Sequence, residues 1–184
     1  MTAYVALLRS MVIAGRRIRG EEIRAMAERA GGTDVRSVIA TGNLVFRSRK
    51  GAAALERALE KACAEEYGKA TEIVVKTGAA WRALLAANPF PKEAAEAPSR
   101  LLVWAMREPL PDSGLEQLRR RAVEPEKVER VASGDFYCWF GAGDISRSKL
   151  TAGFGLKQLG AVGTNRNWSS AQKILAALDA LEAD

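Results

Sequence analysis

The chain has 184 residues, 48% of them hydrophobic and 27% charged, so it is long enough to bury a core without help from a metal or a disulfide. Its 28 basic and 22 acidic residues give a net charge of +6, which favours anionic partners without establishing one. The absence of histidine excludes every His-dependent nucleophilic triad and removes the commonest metal ligand.

The two cysteines, Cys63 and Cys138, are far apart in the chain and fit no metal-binding spacing. Cys63 shares a predicted helical face with Leu55 and Leu59, and Cys138 alternates with Phe136. We therefore predict that both are small buried apolar residues rather than nucleophiles. Without histidine or a cysteine cluster, the sequence predicts no metal and no cofactor.

The amino-terminal residues do not predict a signal peptide, because Arg9 interrupts the apolar run and no charged region precedes it. No stretch approaches the ~20 apolar residues that a membrane span needs. We therefore expect a soluble, cytoplasmic protein that has no membrane partner.

The first half of the chain predicts the order β-α-β-β-α-β, followed by a tail helix. Apolar runs and helical periodicity predict strands over residues 3–8, 35–39, 44–46 and 72–76, and helices over residues 21–30 and 55–67. Gly42, in the turn Thr41-Gly42-Asn43, is expected to adopt a positive φ. Thr77 is predicted to cap the tail helix, which must end before Pro89.

The second half repeats this order after a predicted linker over residues 89–99. The pattern predicts a strand over residues 101–106, a hairpin formed by 127–132 and 135–140 around Ser133-Gly134, and a helix over about residues 147–159. Ser113 with Glu116 predicts a capping box for the first helix of this half. Ser169 with Gln172 predicts another for the final helix.

The simplest fold class for this element order is α+β, with two tandem βαββαβ units of the ferredoxin-like kind. The units are predicted over residues 1–88 and 100–184, each with an extra tail helix. A βαββαβ unit forms an antiparallel sheet with both helices on one face, so the tail helices or the other unit must cover the second face.

The segment from Gly141 to Lys173 carries the main basic clusters of the second half. Its cations are Arg147, Lys149, Lys157, Arg166 and Lys173, and its single acid is Asp144. Ser146 or Ser148 is expected to cap the helix that starts near Arg147, and a helix start with nearby cations favours an anion. The alternative is a solvated basic helix start without a ligand.

Near the end of this segment, Arg166 is the functional candidate, because a guanidinium binds a carboxylate or phosphate bidentately. Trp168 either stacks on a base or sugar, or packs at the helix entry with Asn167 or Ser169 as the N-cap. A separate basic stretch follows the first strand and contains Arg16, Arg17 and Arg19. That stretch is either an anion-binding loop or a solvated one.

Five short motifs stand out along the whole chain. They are Tyr4-Val5-Ala6-Leu7-Leu8-Arg9, Thr41-Gly42-Asn43-Leu44-Val45-Phe46, Asn88-Pro89-Phe90-Pro91, Arg147-Ser148-Lys149-Leu150-Thr151, and Arg166-Asn167-Trp168 with Lys173. In residues and in order, they resemble those of the bacterial proteins grouped as domain-of-unknown-function family 1697. The resemblance implies a two-part α+β protein, and it implies no established reaction.

The chain departs from the usual pattern of that family in its first loop. Where the family has Gly-Ile-Asn-Val-Gly-Gly after the arginine, this chain has Ser10-Met11-Val12-Ile13-Ala14-Gly15. Val12 therefore replaces a polar asparagine, and Ser10 and Ala14 replace two glycines. The last two motifs are retained, so the resemblance implies that a site common to the family lies there.

These observations lead to three hypotheses of function. The first is a binding protein with a basic surface for a phosphate-bearing ligand or nucleic acid, formed by Arg9, Arg147, Ser148, Lys149, Arg166, Asn167, Trp168 and Lys173. The second is an enzyme without histidine or metal that acts on a small anionic substrate, with Lys149 as proton donor or acceptor beside Ser148 and Asp144. The third is a protein-interaction module, such as a homodimer.

Overall fold

The computed structural model describes residues 1–39, 42–142 and 145–184. The chain divides into two compact units, Met1–Ala83 with Gln172–Asp184 (unit 1) and Leu84–Ala171 (unit 2). These ranges differ from the predicted 1–88 and 100–184, because the end of the final helix belongs to unit 1. There, the Asp179 carboxylate lies 2.6 Å from the Arg82 guanidinium.

The chain from Thr2 to Ala86 forms one sheet, a separate hairpin and three helices. The elements are β1 (Thr2–Leu8), β2 (Val12–Ile13), β3 (Arg16–Arg17), α1 (Gly20–Arg29), β4 (Thr33–Val38), β5 (Asn43–Ser48), α2 (Ala52–Tyr67), β6 (Ile73–Thr77) and α3 (Gly78–Ala86). The sheet order is β4-β5-β1-β6, and all neighbouring strands are antiparallel. The predicted strands and helices of this half are confirmed to within a few residues.

The basic stretch after β1 is not an irregular loop, as the sequence had indicated, but contains the β2–β3 hairpin. Its turn residues, Ala14 and Gly15, both have positive φ, 50° and 79°, which is the geometry of a tight two-residue hairpin turn. At the other predicted turn, Gly42 has a φ of 74°, as expected. Thr77 caps α3, since its hydroxyl accepts the Ala80 N–H at 3.1 Å.

Strand β1 is the centre of the unit 1 core. Its alternate residues Tyr4, Ala6 and Leu8 share one cluster with buried residues of α1 and α2, such as Met26 and Leu59. The residues between them on β1 are also buried, so the strand is covered on both faces. This is why its sequence is a continuous apolar run rather than an alternating one.

At the β6 edge of the unit 1 sheet, backbone N–H groups donate hydrogen bonds to side chains of α2. The Glu56 carboxylate accepts the N–H of Val75 at 2.9 Å, and the Glu60 carboxylate accepts the N–H of Ile73 at 3.1 Å. Both N–H groups belong to β6, which is an edge strand of the sheet that the described residues form. The two carboxylates therefore protect that edge from pairing with another chain.

The chain from Pro91 onward forms a second four-stranded sheet. Its elements are α4 (Pro91–Glu96), β7 (Leu101–Met106), α5 (Asp112–Arg121), β8 (Lys127–Arg130), β9 (Phe136–Trp139), α6 (Leu156–Leu159), β10 (Gly163–Asn167) and α7 (Trp168–Ala183), with 3-10 helices at Pro98–Arg100, Ile145–Arg147 and Lys149–Gly153. The sheet order is β10-β7-β9-β8, again antiparallel throughout. Residues 89–99, which were predicted to be a linker, contain α4 and most of the first 3-10 helix.

The prediction of one helix over about residues 147–159 is wrong. Two short 3-10 helices and the single turn of α6 stand there instead. Gly153 and Gly155 interrupt the segment, and glycine disfavours a continuous helix by about 1 kcal/mol per residue. At Gly153 an added Cβ would lie 2.9 Å from the Leu118 side chain of α5, so a larger residue there would force that side chain to move.

Two predicted helix caps also differ from those observed. Helix α5 begins after Pro111 without a side-chain cap, so the Ser113–Glu116 capping box is wrong. Helix α7 begins at Trp168, and the Asn167 side-chain oxygen accepts the Ser170 N–H at 2.8 Å. Asn167 is therefore the N-cap, which was one of the two alternatives.

The fold class is α+β, with antiparallel sheets and helices in both units. Unit 2 is centred on aromatic side chains: the Trp104 and Phe136 rings stack at 5.1 Å, and Phe154 lies 4.8 Å from Trp104. Over the described residues, no helix combines the length and the apolar character that crossing a bilayer requires.

Candidate functional site

The eight residues predicted to form a basic surface fall in both units. Arg9 follows β1 and is half-buried, and Lys173 is exposed on α7; both belong to unit 1. The other six lie in unit 2. That all eight meet around one ligand stays a prediction.

Ser148 lies between two exposed cations, Arg147 and Lys149. Its hydroxyl donates to the Glu126 carboxylate and accepts the Leu150 N–H at 3.0 Å, which caps the 3-10 helix that follows. These bonds make Ser148 a structural residue of this turn. Asp144, named with Lys149 in the enzyme hypothesis, lies outside the described residues.

Arg166 lies on β10 and is packed against its own strand. Its guanidinium donates to the Asn165 carbonyl at 2.6 Å and to the Thr164 hydroxyl at 3.1 Å. Burial lowers the pKa of Arg166 to about 10, so the group stays charged at neutral pH. Beside it, Trp168 packs near Tyr137, with ring centroids 6.4 Å apart.

A cavity of about 450 Å³ lies in unit 1, and we call it the α1 cavity. Its volume is in the range of small-molecule sites. It is lined by Met11, Arg17, Ile18, Arg19, Gly20, Ile23, Ser37, Ile39, Gly42 and Asn43. Sequence reasoning missed it as a site, although it had marked the arginines of the first loop and the turn motif Thr41-Gly42-Asn43.

The segment from β3 to α1 presents the two cavity arginines. Arg17 and Arg19 are exposed, whereas Ile18 between them is only 1% exposed. The Ile18 N–H donates to the Met11 carbonyl at 2.8 Å, which holds the extended segment in place. The Arg19 N–H donates to the Glu22 carboxylate at 2.8 Å, which fixes the start of α1. Because exposed and buried residues alternate along this segment, the Arg17 and Arg19 side chains point away from the core.

The other wall of the cavity is formed by residues near the end of β4 and the start of β5. Asn43 is 1% exposed, and its side-chain nitrogen donates to the Val38 carbonyl at 3.0 Å. The Ser37 hydroxyl accepts from the Arg24 guanidinium at 2.9 Å. At Gly42 an added Cβ would lie 2.7 Å from the Met11 sulfur. Glycine is thus favoured there by its positive φ, and a side chain would also displace Met11.

Ile39, at the rim of the cavity, has a strained backbone. Its φ is 59°, and a β-branched residue in this left-handed region costs of order 1–3 kcal/mol. The side chain is also 41% exposed, so burial of this residue does not offset the cost. Strain of this kind is concentrated at ligand sites.

Glu22 is the acidic residue that organises the basic segment beside the cavity. Its carboxylate accepts the Arg19 N–H and forms ion pairs with the Arg16 and Arg19 side chains. The backbone hydrogen bond from Arg19, with smaller contributions from Tyr67 and Arg16, lowers the pKa of Glu22 to about 2. The Arg16 guanidinium in turn lies 4.8 Å from the centre of the Tyr67 ring.

We expect Glu22→Gln to change how stability depends on pH. The carboxylate has a folded-state pKa of about 2 against an ordinary value of 4.5, so its stabilisation is present above the ordinary pKa and is lost as the pH falls through the folded-state pKa. Urea unfolding between pH 6 and pH 2.5 should show a constant stability difference between wild type and variant at the upper end, shrinking below about pH 4.5. A difference that is the same at every pH would contradict this assignment.

Neither cysteine is placed to act as a nucleophile, as predicted. Both are buried and free. Burial, with a smaller contribution from Glu60, raises the pKa of Cys63 to about 11, and burial also raises that of Cys138. The thiolate form is therefore negligible at neutral pH. Among the described residues, no group of three His, Cys, Asp or Glu side chains could hold a metal ion.

A family model described as "Protein of unknown function (DUF1697)" matches residues 1–137. The chain belongs to this family. The matched part of this DUF1697 protein contains every residue of the α1 cavity. Of the eight residues predicted from the sequence, it contains only Arg9.

One solved structure is similar to this DUF1697 protein over nearly its whole length. It is described as the structure of conserved bacterial protein SP0830 from Streptococcus pneumoniae, at 22% identity and a TM-score of 0.77. The match covers 97% of this chain and 99% of that one. At this identity the likeness is one of fold. The search of curated proteins gave no match.

Proposed function

We propose that this protein binds a phosphate-bearing small molecule in the α1 cavity. The observation that carries the proposal is that two arginines, Arg17 and Arg19, line one cavity of ligand size. A guanidinium presents planar, paired N–H donors that match the oxygens of a phosphate and keeps its charge at any physiological pH. The net charge of +6 adds long-range attraction for such an anion.

The lining supports binding rather than catalysis. The arginines are the only titratable side chains among the described lining residues, so the cavity offers no carboxylate, thiol, phenol or amine for proton transfer. Ser37 has a hydroxyl, but its observed partner is the cationic Arg24 rather than a base. A nucleophilic serine needs a neighbouring base to accept its proton.

The test is calorimetric titration with phosphate probes at low salt, comparing two matched double variants. We expect Arg17→Gln with Arg19→Gln to weaken binding at least about tenfold, because each charged hydrogen bond is worth roughly 1.5–3 kcal/mol. The control is Arg147→Gln with Lys149→Gln, which removes the same number of exposed cations from the cluster named from the sequence. That control should bind like wild type.

Two results would overturn the proposal in favour of the other hypotheses. If the control variant loses binding and the cavity variant keeps it, the ligand lies at the basic surface predicted from the sequence. If only single-stranded DNA or RNA binds, with a steep dependence on salt and no binding of small phosphates, the protein is a nucleic-acid binder.

We infer also that both units have the ferredoxin-like topology. Support comes from the strand orders, β4-β5-β1-β6 and β10-β7-β9-β8, in which the first long strand of each unit lies between its third and fourth. In unit 2 the second helix of that topology is replaced by 3-10 turns and α6. An experimental structure in which either sheet has a different strand order would contradict this inference.

A further inference from the structure

We infer that the organic part of the ligand is apolar, so that the α1 cavity selects a phosphate ester of an aromatic or aliphatic alcohol over a sugar phosphate. The inference rests on the proposed function and makes its ligand class specific. It follows from the chemistry of the lining away from the two arginines.

The side chains that line the rest of the cavity are mostly aliphatic. Ile18 and Ile23 are 1% and 2% exposed and belong to the unit 1 core, so their position is fixed by packing. Met11 packs against the same core cluster, and Ile39 completes the rim. Because Ile18 and Ile23 are already buried, an apolar group placed here would cover chiefly the half-buried Met11 and the exposed Ile39. Removing their apolar surface from water favours binding.

The polar groups of the lining already have partners within the protein. The Ser37 hydroxyl accepts from Arg24, and the Asn43 side chain donates to the Val38 carbonyl. These bonds reduce the hydrogen-bonding capacity that the lining offers to the several hydroxyls of a sugar. Each unsatisfied hydroxyl costs about tenfold in affinity.

Ile39 is the specificity-determining residue of this arrangement. Among the described residues, the exposed large hydrophobic side chains are Met1, Val12, Ile39 and Val123, and Ile39 is the one that lines the cavity. Its backbone is held at a φ of 59°, which an isoleucine adopts only against its steric preference. A contact with an apolar ligand gives this exposed, strained side chain a function.

The experiment compares three probes on the full chain: phenyl phosphate, glycerol 3-phosphate and inorganic phosphate. We expect phenyl phosphate to bind about tenfold more tightly than glycerol 3-phosphate, since part of an aromatic ring is buried. Ile39→Ser should weaken phenyl phosphate about fivefold and leave inorganic phosphate unchanged. Val123→Ser, which also removes an exposed apolar side chain but lies in unit 2, is the control and should bind all three like wild type.

The outcomes separate this inference from the proposed function. If the three probes bind with equal affinity, and the Arg17→Gln with Arg19→Gln variant binds none of them, the preference for an apolar ligand is wrong but phosphate binding in the cavity stands. The same conclusion follows if glycerol 3-phosphate binds more tightly than phenyl phosphate. If none of the probes binds, the proposed function fails and this inference fails with it. The near-ultraviolet circular dichroism spectrum of Ile39→Ser should match that of wild type, which checks that the variant is folded.

Discussion

Gly114→Ala is expected to lower the free energy of unfolding by about 3 kcal/mol, although alanine is the better helix former. Gly114 lies in the first turn of α5. In an unobstructed helix this change would stabilise the protein by roughly 1 kcal/mol. Here an added Cβ would lie 2.4 Å from the Leu159 carbonyl oxygen and 3.0 Å from the Leu110 side chain.

The size of this destabilisation depends on which atoms must move to make room for the added methyl group. A flexible side chain can turn away from a new methyl group, but the Leu159 carbonyl is backbone at the end of α6. To relieve the contact, α6 would have to shift away from α5 and open the unit 2 core, which contains both Leu118 and Leu159. The steric cost of overpacking therefore exceeds the gain in helix propensity.

Urea unfolding followed by tryptophan fluorescence measures this change. The matched control is Gly20→Ala, which also replaces a glycine in the first turn of a helix. At Gly20 the nearest atom to an added Cβ is the Ser37 hydroxyl oxygen at 3.5 Å, an ordinary contact. The control should be neutral, or stabilising by up to about 1 kcal/mol. Similar stability of the two variants would mean that α5 and α6 are not in this contact in solution.

Asp135→Ala is expected to destabilise the protein by about 3 kcal/mol. Asp135 is 1% exposed, and one carboxylate oxygen accepts the Met106 N–H at 2.7 Å. The other accepts the Ser133 hydroxyl at 2.7 Å. Alanine would leave the N–H at the end of β7 buried without this acceptor, which is the costly way to lose a hydrogen bond.

Two further variants separate the contributions of this carboxylate. Ser133→Ala removes the bond that this hydroxyl donates and the long, 3.4 Å bond that it accepts from the Asp135 N–H, but keeps the bond to Met106. It should therefore cost only about 1 kcal/mol. Asp135→Asn keeps an oxygen acceptor without the charge, so its loss of stability should lie between those of Ser133→Ala and Asp135→Ala. If Asp135→Ala unfolds at the same urea concentration as Ser133→Ala, the bond to Met106 contributes nothing measurable.

The elements that could be predicted are those whose residues carry a local periodic signal. Residues 101–106 of β7 form a strand with the predicted bounds, and α2 ends at Tyr67, before Gly68 with its positive φ of 72°. The segment over residues 147–159 contains helix-compatible residues, but Gly153 and Gly155 disfavour a continuous helix. The packing of Gly153 against the Leu118 side chain of α5 adds a constraint from a residue distant in the chain, which no local pattern reveals.

The candidate site could be predicted only in part, for the same reason. The sequence indicated that the arginines near position 17 bind an anion or are solvated, and that Thr41-Gly42-Asn43 is a turn. It contained no sign that these two stretches line one cavity. A pairing of Leu7 with Asn43, between β1 and β5, brings Gly42 and Asn43 beside the first loop, whereas Thr41 lies outside the described residues. The cation-rich clusters of the sequence instead indicated residues 141–173 as the site.

By itself, the sequence determined the order of the sheet strands and helices in the first half, the positive φ of Gly42, the burial of the cysteines and the family, because each depends on residue types at short spacing. Tertiary structure alone decided which loops line the α1 cavity, which unit holds the end of α7, and why position 114 has no room for a side chain. Those features depend on distances between residues far apart in the chain, and such distances are fixed only when sheets and helices pack.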